Sequence, residues 1–153
     1  MKKYVSVFTS LLLALSLAAC GGEEAVTPFD PAKDARTLLE TPGVFGETLT
    51  EIDGETACSL YGIDPDTVES CAVYGATATS AEELAIFLLK TEEDAGTAAQ
   101  QLRYRVEDRI DGLKDYLPDE IPSLEDAVVE VRGNSVLLVV ADDYGPVQDF
   151  LGQ

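Results

Sequence analysis

The sequence predicts an α+β fold: an antiparallel sheet of two hairpins, with strands near 68–74, 83–90, 127–132 and 135–141, packed with a long helix over 92–116 and shorter helices. Three observations carry that expectation. Leu84 to Leu89 and Val136 to Val140 are short, uninterrupted apolar runs of the kind that buried strands show. Ala95, Ala99, Leu102, Val106, Ile110 and Leu113 recur every three or four residues, which lines them along one face of a helix. Arg132-Gly133-Asn134 separates two β-favouring segments and reads as a glycine-bearing hairpin turn. The order is two helices, a hairpin, a long helix, a hairpin and a last helix, which places the helices on one face of the sheet.

The chain opens on Met1-Lys2-Lys3, a short positive start, followed by an uncharged apolar run from Val5 to Ala19 that ends at Cys20. These are the parts of a secretory signal over 1–19. The run is too short to cross a bilayer as a helix, which takes about 20 residues, and no basic stop-transfer residues follow it. Leu17-Ala18-Ala19-Cys20 resembles the bacterial lipobox, in which the cysteine receives a diacylglyceryl thioether and becomes the new N-terminus. Cys20 is therefore the expected lipidation site, and residues 20–29 a lipidated cysteine with a flexible leash. Each buried CH₂ of the acyl chains contributes about 0.8 kcal/mol, so two or three chains hold a protein where one would not. The expected location is extracytoplasmic, anchored to the cell membrane by lipid.

Residues 30–153 are expected to form a single acidic α+β domain. Loss of residues 1–19 removes two of the 10 cations and none of the 29 acids, so the mature net charge is 8 minus 29, or −21. That sign disfavours nucleic acid as a partner, and disfavours electrostatic attraction to anionic lipid. Acidity does not imply disorder here, because 46% of residues are hydrophobic and fall in patterned segments.

Within the domain, Asp30-Pro31 reads as an N-cap followed by proline at the first helical position, and Thr41-Pro42-Gly43 ends that helix. Glu47 to Ile52 is a short extended piece that leads through Asp53-Gly54 into a second helix, which stops at Gly62. Ser80 with Glu83 would make a capping box for a helix over the next apolar run. The run is short and a capped helix begins directly after it, so it is assigned as strand. Thr91 caps the long helix, and Glu92, Glu93 and Asp94 sit at the positive end of its dipole. Arg103 and Glu107 form an expected i,i+4 pair on it, worth about 0.3 kcal/mol. The strand Val136 to Val140 is apolar on both faces and should be central. Asp142-Asp143 and Gly145-Pro146 open the terminal helix.

Tyr61-Gly62-Ile63-Asp64, Gly75-Ala76-Thr77-Ala78, Glu82 to Phe87, Arg105, Asp115-Tyr116 with Pro118, and Gly133-Asn134 before an apolar strand follow one another along the chain. In that order they resemble the small bacterial lipoproteins grouped as domain of unknown function 4358, over most of residues 30 to 150. The resemblance implies an exported, lipid-anchored α+β domain, usually from Gram-positive anaerobes, with no established activity. The chain departs from the family pattern at Arg109, where glutamine is common, at Ser135, where an aromatic is common, and in having Cys58 and Cys71.

Once Cys20 is lipidated, Cys58 and Cys71 are left, and the outside of a bacterial membrane often permits disulfides. A bridge between them would stabilise by about 3 kcal/mol in the chain-entropy account. Two buried thiols are the other reading, and a redox pair is disfavoured because the spacing is not C-x-x-C. Asp64, Asp66 and Glu69 lack the third acid and mid-loop glycine of a calcium loop, and turn and capping chemistry accounts for them. With no histidine, no metal site and no cofactor are expected. Every Ser-His or Cys-His arrangement is excluded on the same ground, and no G-x-S-x-G or phosphate loop occurs, so no catalytic residue is assigned.

Arg105, Arg109 and Tyr116, with Tyr104, are the candidate ligand-facing residues, suited to a peptide carboxylate or cell-wall fragment. The competing reading is a solvated helix rim, with Tyr116 anchoring the turn at Pro118. The expected function is thus a non-catalytic binding or interaction domain on a membrane-anchored lipoprotein, with a protein or cell-wall partner. The alternative is a carboxylate-based envelope hydrolase or an inhibitor of one. A structural envelope protein without a small ligand is the third reading.

Overall fold

The computed structural model describes residues 26–152. The expected signal sequence over 1–19, the expected lipidation site Cys20 and most of the expected leash over 20–29 lie outside the described residues. From Phe29 onward the chain forms α1 (Pro31–Glu40), β1 (Thr50–Ile52), α2 (Gly54–Tyr61), β2 (Val68–Gly75), β3 (Glu83–Leu89), α3 (Glu92–Leu113), α4 (Ile121–Glu125), β4 (Val128–Arg132), β5 (Ser135–Val140) and α5 (Tyr144–Leu151). The fold is α+β, with one antiparallel sheet in the order β1-β2-β3-β5-β4.

The two most apolar strands, β3 and β5, which are uniformly apolar after their first residues, pair at the centre, Glu83 opposite Val140 and Leu88 opposite Ser135. Because successive side chains leave a strand on opposite faces, both faces then need cover. Ala85, Phe87, Val136 and Leu138 pack under α2, α3 and α4. Leu84, Ile86, Leu137 and Val139 pack under α1 and α5. The expectation that helices lie on one face is thereby corrected. It overlooked that an all-apolar strand cannot leave one face to water.

Three further differences are local. The extended piece before Asp53 joins the sheet as a fifth strand, β1, pairing Thr50 with Gly75. The long helix ends at Leu113 rather than near 116, and Pro118, Pro122 and the acids between them fold into a short turn and α4. Arg103 and Glu107 make no ion pair.

Local chemistry sets the remaining boundaries. The Asp30 side chain accepts the Lys33 N–H at the start of α1, and Thr91 Oγ1 accepts the Asp94 N–H at the start of α3. Gly62, at φ +65°, ends α2 in the left-handed region that favours glycine. Gly133, at φ +54°, takes the first central position of the two-residue turn between β4 and β5. The start of the described chain is tied to that hairpin: the Phe29 N–H donates to Ser135 Oγ at 2.7 Å, which in turn donates to the Arg132 carbonyl at 2.7 Å. Among the described residues no helix is long and apolar enough to cross a membrane.

Candidate functional site

Two consecutive glutamates enter β3, and the pleat sends them to opposite faces. Glu82 turns toward the loop after α1, where its carboxylate accepts the Gly46 N–H at 2.8 Å and the Glu47 N–H at 3.0 Å. Glu83 turns toward α3 and is only 2% exposed. Arg105 Nε donates to Glu83 Oε1 at 2.7 Å and Arg105 Nη2 to Oε2 at 3.3 Å. Arg109 Nη1 also donates to Oε2, and reaches the Ala81 carbonyl at 2.9 Å. The Tyr61 hydroxyl donates to Oε1 from α2.

A charge this deep is tolerated only when paired and fully hydrogen-bonded, and this one has donors on both oxygens. The Arg105 guanidinium also stacks over Tyr61, 4.8 Å from the ring centroid. Burial works against the charge on Arg105, but the hydrogen bond and ion pair with Glu83 outweigh it and hold the guanidinium above its usual range. Burial, then the neighbouring carboxylate, push the Tyr61 phenol well up, so it stays a donor. Spaced one turn apart, Arg105 and Arg109 meet the same side chain. The cluster therefore clamps α2 and α3 to β3.

The structure thus brings Arg105 and Arg109 together and leaves the two tyrosines apart from them. Tyr104 accepts from Gln100 Nε2 at 2.8 Å on the outer face of α3, and Tyr116 is 72% exposed beyond its end. Both guanidinium groups are engaged by Glu83, which the sequence reading missed as a partner. Nothing local to Glu83 announces it, since its arginines lie a whole helix away in the chain.

Cys58 and Cys71 stand as free thiols in the structure. Cys71 Sγ packs against Gly54, where an added Cβ would lie 3.3 Å from it. Burial raises both thiols, which suits packed groups and not nucleophiles. Among the described residues no cluster of three or more His, Cys, Asp or Glu side chains could hold a metal ion.

The other concentration of features lies across α3. A groove of about 370 Å³ runs between α3, α4 and β4, floored by Val106, Ile110, Leu124 and Val129. Arg103, Glu107 and Glu125 line its rim without ion-pair partners among the described residues. Along one side runs β4, whose sole sheet partner among the described residues is β5.

The register decides what β4 presents. Arg132 and Ser135 flank a two-residue turn and form the hydrogen-bonded closing pair, so Glu130 and Val128 also bond toward β5. Val129 and Val131 alternate with them and direct their N–H and C=O groups away from the sheet. Both side chains lie on the α3 face, and Val131 is 40% exposed.

A family model for a domain of unknown function, DUF4358, matches residues 44–141. The chain belongs to that family. The DUF4358 match takes in the whole sheet with α2, α3 and α4, so the Glu83 clamp and the groove both lie inside it. The helices that cover the opposite face, α1 and α5, lie outside it. Comparison with curated proteins and with solved structures found no match.

Proposed function

We propose that the chain is an exported lipoprotein, held at the outer side of the cytoplasmic membrane through Cys20, and that its DUF4358 domain works by binding a partner at the β4 edge rather than by catalysis. The observation that carries this is the open edge of β4 beside a groove with an apolar floor and a charged rim. Native sheets usually blunt such an edge with proline, a bulge or inward charge, because unpaired N–H and C=O groups recruit other chains. Here the outward positions hold two valines. The buried charges support the same reading, since Glu83, Arg105 and Arg109 are spent on one another.

The start of the described chain lies beside the hairpin that carries the edge. Pro28 packs beside Gly133 in the β4–β5 turn. Val26 follows Cys20 by six positions, a reach of about 20 Å when extended. A lipid on Cys20 therefore holds the hairpin end near the bilayer, and a membrane-proximal protein is the natural partner.

Chemical crosslinking in intact cells tests this reading. A recurrent envelope protein should be captured with the wild-type chain, and the capture should fall when Cys20→Ala releases the chain from the membrane. Equal capture from both, or hydrolysis of an envelope polymer that is lost on substituting one Asp or Glu, would overturn it.

A further inference from the structure

We propose that the occupant of the β4 edge is an extended, basic segment of the partner protein, added to the sheet as a further antiparallel strand. This rests on the interaction reading above and specifies the partner's chemistry. Strand addition draws affinity from main-chain hydrogen bonds and selectivity from alternate side chains. Val129 and Val131 supply the outward main-chain groups. A partner strand in register would send every second side chain toward the α3 face, over the groove floored by Val106, Ile110 and Leu124.

Charge selects among occupants. Among the described residues Glu107 and Glu125 line the groove without partners, Arg103 is the one cation lining it, and Asp126 precedes the strand. Glu130 and Arg132 cancel, their Nε to Oε1 distance being 2.8 Å. The edge is thus locally acidic on a chain whose overall charge is −19. A second copy would bring the same acids together across the edge. A basic strand is attracted, and at low salt it is also steered to the site.

The test uses the detergent-solubilised full-length lipoprotein and two dye-labelled peptides of about eight residues, a typical strand length. Each alternates valine and threonine, and one ends in lysines where the other ends in glutamates. The basic peptide should bind about tenfold more tightly at low salt, and most of that preference should vanish at about 0.5 M salt. Hydrogen exchange should slow in β4 on binding.

Val131→Pro removes an outward N–H and spares the ladder to β5, so it should weaken binding by about tenfold or more while the melting curve holds. Glu107→Lys with Glu125→Lys, which leaves β4 untouched, should abolish or invert the preference. Equal binding of the two peptides overturns the basic partner. Binding that Val131→Pro does not alter overturns the edge as its seat. A dimer that Val131→Pro dissociates shows instead that a second copy fills the edge. If a photoreactive residue at Val131 captures a protein in cells while the peptides fail to discriminate, the interaction reading stands and the basic strand falls.

Discussion

Arg105 Nε lies 2.7 Å from Glu83 Oε1, joining the longest helix to the central strand β3 through a carboxylate that is 2% exposed. Arg109 shares that carboxylate from the next turn. Removing a buried acid between two cations leaves them uncompensated, whereas removing one cation leaves the acid still paired. Glu83→Ala should therefore cost about 3 kcal/mol in urea denaturation. Arg109→Gln, which keeps a donor for Ala81, should cost about 1 kcal/mol. Equal losses would show that the three side chains are not one unit.

Alkaline pH should loosen the domain through Tyr61 and Tyr144. Burial pushes the Tyr144 phenol up to about 12 and Tyr61 higher, against an ordinary value of 10.0. With both raised in the folded state, their contribution is complete below pH 10. Above that the unfolded chain releases protons that the folded chain retains, so stability falls as pH rises. The fall approaches about 1.4 kcal/mol per pH unit for Tyr61, and less for the partly exposed Tyr144. Denaturation at a series of pH values should show a shallower decline in Tyr61→Phe. An unchanged slope would rule Tyr61 out as its cause.

Thiol titration reads Cys20, Cys58 and Cys71 together. Full-length protein extracted without reductant and then denatured should yield two thiols per chain, from Cys58 and Cys71, with Cys20 silent as a thioether. In the native state labelling should be slow, because burial raises both thiols. No thiols would mean a bridge, and three would mean that Cys20 is unmodified.

Ser135→Ala should destabilise by about 1–3 kcal/mol, because the buried Phe29 N–H loses its acceptor. The damage should appear first as faster hydrogen exchange at residues 26–30. Uniform loosening of the sheet would contradict the assignment of Ser135 as a tether.

The elements with strong local patterns were legible before the structure. Val136 to Val140 reads as a central strand, Leu84 to Leu89 reads as a strand despite the capping signal before it, and the stripe from Ala95 to Leu113 reads as a helix. Their all-apolar character also implied helices on both faces, which the one-face reading overlooked. β1 was harder, because Thr50, Glu51 and Ile52 carry no alternation long enough to see. Glu83 resembled half of a capping box with Ser80. Its burial follows from partners 22 and 26 positions away, and no local window shows them. The groove has no sequence pattern of its own, since its walls come from three elements that meet only in the folded chain.

Site-specific photocrosslinking reads directly whether the β4 edge is occupied in the cell. A photoreactive residue replaces Val131 in one strain and Leu60, an exposed apolar position on α2, in another. One discrete protein adduct is expected from Val131 in intact cells, reduced when Cys20→Ala removes the anchor, and none from Leu60. Adducts of equal yield from both positions, or none from Val131, would contradict it.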